Sequence, residues 1–186
     1  ARALAEDILR RVREGTSFMY EAVTHSDLVN YYVGGVFAIY KRGTHPKQFE
    51  EIVAGLGIGE VSEIIETETG FHIVKRLPVQ RIQIRQIMIE FQQPDETEGQ
   101  KKRTKEEALA RAEKVRRLAQ QPGSDFAALA AEYSDGPAAK RGGLNEPFGR
   151  GLRSYEFERA VFALKAGEIS PAIETEIAVF IVKRIR

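Results

Sequence analysis

The sequence predicts an α+β protein built from two tandem copies of one small domain, and three observations support this prediction. The chain has 186 residues, a length that allows one large domain or two small ones. A shift of 108 positions aligns residues 18–76 with residues 126–184, and 23 of these 59 aligned positions are identical. Each copy begins with amphipathic helical segments and ends with two short segments typical of strands. Two copies are too few for a solenoid, so tandem domains are expected.

Helices dominate the first part of each copy. The apolar stripe of the first helix is formed in copy one by Leu4, Ile8 and Val12, and in copy two by Ala108, Ala112, Val115 and Ala119. A second, short helix is expected over residues 18–24 and 126–132. A third helix begins near Pro46 in copy one and near Ser154 in copy two.

Strands are expected later in each copy. The predicted closing strands are 63–67 and 71–75 in copy one, and 172–176 and 179–183 in copy two. Copy one also has a short strand at 36–40, after a Gly-Gly pair. Copy two has an extra alternating segment at 82–91, and its apolar residues on both faces predict a central strand. The equivalent strand of copy one is absent from this chain.

The boundary between the copies is expected at a short, stiff segment, 77–80, which contains Pro78. This places domain 1, truncated at its N-terminal side, at residues 1–78 and domain 2 at residues 79–186. Such a short connection predicts that the two domains sit close together.

Composition and charge exclude several classes of protein. Hydrophobic residues make up 42% and charged residues 30%, which is unlike a disordered chain. The 28 basic and 27 acidic residues give a net charge of +1, so no basic field favours nucleic acid. No apolar run approaches the roughly 18 residues that a membrane span needs. There is no cysteine, and the three histidines lack metal-ligand spacing, so neither a thiol nucleophile nor a metal site is expected.

Several strings of residues, taken together, resemble a known family. They are DFAALAAEYSD at 125–135, Gly142-Gly143-Leu144, Arg150-Gly151, Phe157-Glu158, AGEIS at 166–170 and, in copy one, TGFHIVK at 69–75. This set resembles the parvulin (rotamase, PpiC-type) peptidyl-prolyl isomerase domain. The resemblance implies a four-stranded antiparallel sheet surrounded by helices in each copy. Two such domains in one chain are similar to the SurA-type periplasmic chaperones, which implies an extracytoplasmic location and further domains in a longer chain.

For copy one the resemblance implies a nearly complete site. His72 matches the histidine of the family's last strand, and the hydroxyl residues Thr67 and Thr69 precede it, so these three are the candidate catalytic residues. The family's first-strand histidine would lie on the absent strand. The candidate substrate-binding residues are the aromatic wall Phe49, the second aromatic Tyr40, His45 at the family's usual methionine position, and Phe37.

Copy two departs from the family's pattern. Gln86 and Phe180 stand where the two histidines are expected, and Arg153 stands at the methionine position. The candidate binding residues that remain are Phe157, Phe148 and Thr175. Copy one is therefore predicted to be the competent domain, and copy two a scaffold that has lost its polar site.

The function implied is peptidyl-prolyl cis/trans isomerisation of unfolded or exposed proline-containing polypeptide, without a cofactor. The alternative is a chaperone module in which degenerate domains hold peptides without catalysis, and a third interpretation is a spacer between other domains. The site residues also have simpler interpretations. Phe49 and Phe157 suit core positions of an amphipathic helix, His72 suits a structural hydrogen bond, and threonine favours strands in any context.

Overall fold

The computed structural model describes residues 1–36, 43–92 and 103–186. Its contacts divide the chain into two compact units: unit 1 contains residues 1–80 and 150–152, and unit 2 contains residues 81–149 and 153–186. Both units combine helices with a small antiparallel sheet, which confirms the predicted α+β class. Within the described ranges, no helix is both long enough and apolar enough to cross a bilayer.

Unit 1 consists of helices followed by a β-hairpin. Its described elements are α1 (Arg2–Arg13), α2 (Phe18–His25), α3 (Lys47–Gly55), β1 (Ile65–Thr67) and β2 (Gly70–His72). The closing strands are shorter than predicted, although an isolated bridge between Val61 and Lys75 extends their pairing. The predicted strand at 36–40 lies outside the described residues from position 37 onward.

The buried stripe of the first helix matches the predicted one only in part: Val12 is buried as predicted, Ile8 is half-buried and Leu4 lies outside the stripe. Ala5, Leu9 and Val12 are buried, whereas Leu4 is 47% exposed. Leu4 shares its side of α1 with Arg11, because the two positions are seven residues apart. Arg11, two turns further along, turns toward a buried carboxylate on α2 and forms an ion pair with it.

The hairpin of unit 1 sets the positions of three candidate site residues. Ile65 pairs with His72 and Thr67 pairs with Gly70 across the strands. Gly70 has a φ of +141°, a backbone conformation that favours glycine at the point where the turn enters β2. Because side chains alternate along a strand, this register places Thr67 and His72 on the same face.

Unit 2 has a larger sheet. Its elements are β3 (Ile84–Glu90), α4 (Lys105–Ala119), α5 (Phe126–Tyr133), α6 (Tyr155–Ala163), β4 (Ile173–Glu174) and β5 (Ala178–Arg184). The strands are antiparallel in the order β3-β5-β4. On the other side of β3, isolated bridges pair Arg85 with Leu144 and Ile82 with Phe148. A fourth extended segment therefore lies beside β3, which has neighbours on both edges as a central strand should.

Helices cover both faces of this sheet. On one face Ile87 and Ile181 pack against α4 and α5, and on the other Ile84 and Val182 pack against α6. The predicted stripe of α4 is confirmed, since its four members are buried: Ala108, Ala112, Val115 and Ala119. Thr104 begins this helix with a reciprocal capping box to Glu107. The face covered by α6 is the one that carries the candidate site residues of this unit.

A glycine pair lets the fourth segment approach β3. Gly142 and Gly143 have φ values of +60° and +73°. A Cβ atom on Gly143 would lie 2.3 Å from the carbonyl oxygen of Gln86. This close approach permits the Gln86 amide to donate a hydrogen bond to the Gly143 carbonyl at 2.8 Å. Any side chain at this position would separate the segment from the strand.

Candidate functional site

In unit 1 the hairpin brings an imidazole and two hydroxyl groups together. The Oγ1 atom of Thr67 lies 2.8 Å from Nε2 of His72 and 3.0 Å from Oγ1 of Thr69. Thr69 Oγ1 lies 3.5 Å from the same imidazole nitrogen. The amide of Thr69 also donates to Thr67 Oγ1 at 3.3 Å. These three side chains form a small polar network at the turn end of the hairpin, which we call the Thr–His network.

An aromatic wall adjoins this network. Phe49, on the first turn of α3, is 7% exposed. The ring of His45 stacks on it at 5.1 Å with an interplanar angle of 16°. The ring of His72 meets Phe49 edge-on at 5.8 Å. An apolar ring is therefore flanked by two imidazoles, one of which belongs to the Thr–His network.

Burial lowers the pKa of His72. Desolvation of the ring is the main cause, and the charge of His45 acts in the same direction. The neutral imidazole is thus favoured near neutral pH, and its Nε2 either accepts a hydrogen bond from Thr67 or donates one to it. A neutral ring beside hydroxyl groups offers polar contacts to a ligand without a fixed charge.

The loop before α3 is held by a carboxylate that the sequence reasoning did not select. Glu50 Oε1 accepts hydrogen bonds from the backbone amides of Gly43, Thr44 and His45, at 2.6, 3.1 and 3.1 Å. These amides lower the pKa of Glu50, and the His45 amide has the largest effect. The available signal was the Phe-Glu dipeptide, which recurs as Phe157-Glu158 in the second copy.

The structure thus brings together five of the predicted residues of copy one: His45, Phe49, Thr67, Thr69 and His72. Phe37 and Tyr40 lie outside the described residues. Across the parts of the chain that the structure describes, no group of three or more histidine and carboxylate side chains is arranged to hold a metal ion.

In unit 2 a phenyl ring takes the place of the imidazole. Phe180 packs edge-on against Phe157 with their ring centroids 5.1 Å apart. Both rings are nearly buried, at 8% and 3% exposure. The hydroxyl of Thr175 donates to the carbonyl oxygen of Ala178 at 2.9 Å, so it satisfies the backbone of its own hairpin. Of the three positions that form the Thr–His network in unit 1, only Phe180 joins the apolar cluster here, and Ile177, which aligns with Thr69, is 55% exposed.

Three further candidate positions of unit 2 are Gln86, Phe148 and Arg153. Gln86 is 6% exposed on the same face of the sheet, and its Oε1 is buried without a hydrogen-bond partner among the described residues. Arg153 lies over the ring of Phe148, with 5.8 Å from its guanidinium carbon to the centroid. Phe148 itself meets Phe162 edge-on at 5.9 Å. An arginine thus lies on the aromatic cluster where unit 1 has His45.

Family comparisons cover almost the whole chain. A family model described as the PPIC-type PPIASE domain matches residues 74–185. A second model with the same description matches residues 1–77.

Individual relatives agree with these matches. The Chaperone SurA of Nitrosococcus oceani is 33% identical over 193 residues, which covers 98% of this chain and 43% of the relative. The chain thus spans about two fifths of the length of that chaperone. The peptidyl-prolyl cis-trans isomerase Pin1 of Digitalis lanata is 41% identical over 81 residues, covering 44% of this chain and 69% of the relative.

A solved structure supports the same fold. The peptidyl-prolyl isomerase ESS1 from Candida albicans superposes with a TM-score of 0.51 and 27% sequence identity. The superposition covers 57% of this chain and 63% of that one.

Proposed function

The chain belongs to the family of PPIC-type peptidyl-prolyl isomerase domains, and from that premise we propose that it accelerates cis/trans isomerisation of X–Pro bonds, with the active site in unit 1. The observation that supports this assignment is the meeting of Phe49 with the Thr–His network. Unit 2 has the corresponding helices and closing hairpin but sets Phe180 where unit 1 has His72.

The reaction needs shape and polarity more than covalent chemistry. Rotation about the X–Pro bond has a barrier of about 18–20 kcal/mol, because amide resonance is lost in the twisted state. A proline ring placed against Phe49 would hold one side of the bond. The Thr67 hydroxyl and the neutral His72 ring would offer a hydrogen bond to the amide as it twists. No cofactor takes part in this scheme.

Unit 2 is proposed to be a folded scaffold without isomerase activity. Its Thr175 hydroxyl keeps the bond to the hairpin backbone that Thr67 also makes to Gly70, but the Phe157–Phe180 pair puts apolar atoms where unit 1 has the His72 imidazole. The proposed domain limits are those predicted from the sequence, 1–78 and 79–186.

The clients and location are proposed from the relatives. Because a chaperone aligns with nearly the whole chain, we propose unfolded or exposed proline-containing polypeptide as the substrate class. We also propose an extracytoplasmic, periplasmic location and further domains beside these two in the intact protein.

Exchange spectroscopy by NMR on a short Ala-Pro-aromatic peptide tests the activity and its location. The full chain should accelerate exchange, and Phe49→Ala should reduce kcat/KM at least tenfold because the wall for the proline ring is lost. Phe157→Ala is the matched control: it removes an equally buried ring from unit 2 and should leave the activity unchanged.

Both alanine variants lose core packing, on the order of 3–5 kcal/mol. Their amide spectra must therefore show that each unit is folded, and Phe49→Leu is a milder replacement with a roughly three- to tenfold expected loss. Wild-type activity in folded Phe49→Ala would contradict the site assignment.

A second function, peptide holding without catalysis, is favoured by the chaperone relatives and by the absence of an imidazole at position 180 of unit 2. Shifts of backbone resonances on addition of the peptide, with no faster exchange, would establish this function in place of isomerisation.

A further inference from the structure

Both units anchor the loop before their third helix with a carboxylate. In unit 1 Glu50 accepts hydrogen bonds from three consecutive backbone amides, those of residues 43–45. In unit 2 Glu158 is completely buried and accepts the amide of Arg153 at 3.0 Å. The aligned residues make the same type of bond although the loop sequences differ, Gly-Thr-His against Gly-Leu-Arg. We call the contact in unit 1 the Glu50 clamp.

The Glu50 clamp acts on the aromatic wall through the backbone. The amide nearest α3 in the clamp belongs to His45, whose ring stacks on Phe49. The preceding residue, Thr44, places its Oγ1 2.9 Å from Nδ1 of the His45 ring. The carboxylate therefore fixes the backbone that carries the ring, while the neighbouring hydroxyl fixes the orientation of the ring.

The geometry separates Glu50 from the reacting groups. Its Oε1 is directed at the loop amides, and none of its described contacts involves Thr67, Thr69 or His72. Phe49 is held by its own burial and by its place on α3. Loss of the carboxylate charge would thus release His45 without removing the aromatic wall or the Thr–His network.

We propose that Glu50 is a positioning residue that keeps His45 stacked on Phe49 and so sets the shape of the substrate groove in unit 1. This inference rests on the proposed isomerase function. Because Glu50 acts on substrate binding in this way, substitution of Glu50 raises KM. The chemical step depends on the Thr–His network, so kcat changes little.

The test compares Glu50→Gln with Glu51→Gln in the full chain. Glutamine keeps the size of the side chain but removes the charge that strengthens the three hydrogen bonds. Glu51 is the neighbouring residue on α3; its side chain is 66% exposed and pairs only loosely with Lys47, at 3.7 Å. Glu50→Gln should raise KM on the order of tenfold with kcat within about twofold. Glu51→Gln should match the wild type in both constants.

A second measurement does not depend on activity. The ring protons of His45 feel the ring current of Phe49, so their NMR shifts should move toward free-histidine values in Glu50→Gln and stay in place in Glu51→Gln. If the ring shifts and KM of Glu50→Gln equal those of the wild type, the positioning role is wrong. A tenfold loss in kcat with an unchanged KM would also overturn the positioning role.

Failure of the two proposals can be told apart. If the wild-type chain does not accelerate exchange, the isomerase function fails, and the His45 ring shifts still decide whether the clamp holds the ring. If Glu50→Gln unfolds unit 1, Glu50→Asp provides the second variant: it retains the charge with a shorter reach, and the same two readouts apply to it.

Discussion

At the scale of single residues, the two units differ most in the chemistry of one strand position. His72 in unit 1 and Phe180 in unit 2 occupy the same place in the repeat, and each contacts the aromatic residue on the first turn of its third helix. The packing role is thus shared by both residues. Only the imidazole adds a hydrogen-bonding group that reaches Thr67.

The depressed pKa of His72 predicts a pH-dependent stability for unit 1. Folding favours the neutral ring, so the stabilisation is complete above the ordinary histidine pKa of about 6.5 and is lost as the pH falls through the lower value of the folded protein. NMR titration of the ring should give a pKa below 6.5.

The matched comparison is His72→Gln, which removes the titrating group. Urea unfolding between pH 7 and pH 5 should show a steeper loss of stability in the wild type than in this variant. Equal slopes would mean that the ring is not desolvated in solution.

At the scale of elements, the two repeats keep the same hydrogen bonds between side chain and backbone. Ser62 Oγ accepts the amide of Val74 at 3.0 Å, and Ser170 Oγ accepts that of Val182 at the same distance. Arg76 in unit 1 likewise donates to the carbonyl of Leu56 at 2.6 Å, and its counterpart in unit 2 donates to the carbonyl of Leu164. The serine and arginine residues that are identical in the two copies therefore hold the end of each closing hairpin through the same hydrogen bonds.

The packing of the first two helices differs between the units. In unit 1 Glu21 is 3% exposed and lies 3.0 Å from Nη2 of Arg11 and 3.5 Å from Nε2 of His25. The aligned residues of unit 2 are apolar or aromatic: Ala119 is buried in its core, and Leu129 and Tyr133 are partly buried against it. Unit 1 thus buries a carboxyl group where unit 2 packs a partly buried leucine.

Arg11→Ala should destabilise unit 1 by about 3 kcal/mol, because it leaves the buried Glu21 carboxylate without its arginine. The triple variant Arg11→Ala, Glu21→Leu, His25→Tyr copies unit 2 and should recover this loss or exceed the wild-type stability. Urea unfolding measures both. Arg10→Ala, at an exposed ion pair, is the control and should leave the free energy of unfolding close to that of the wild type. A triple variant no more stable than Arg11→Ala would contradict this account.

The sequence predicted the order of elements well and the details of burial less well. The repeat and the helical periodicity located α2 and α5 to within one residue at their ends. The predicted stripe of α1 was right for Val12 and wrong for Leu4, and the ion pair of Arg11 was missed because it depends on α2, which periodicity within one helix does not include. The clamp was missed for a similar reason: a carboxylate on a helix gains its role only when the loop folds back onto it.

At the scale of the whole molecule, two units of one family differ in the chemistry that each presents. A fragment of residues 79–186 should fold alone, because unit 2 has its own core on both faces of its sheet. Its amide spectrum should overlay that of unit 2 in the full chain, and it should not accelerate isomerisation of the Ala-Pro-aromatic peptide. Acceleration by the fragment would move the active site to the second copy.

The hydrogen bonds that recur in both units have a consequence for how such a protein evolves. Ser62 and Ser170, like Glu50 and Glu158, bind main-chain atoms, which every residue supplies. Substitutions on the neighbouring strand face therefore change the chemistry without disturbing these bonds. The two copies accordingly carry an imidazole at one such position and a phenyl ring at the other within the same local fold. Because these hydrogen bonds go to the main chain, the fold tolerates substitutions at the side-chain positions that decide the chemistry of the site, such as 72 and 180.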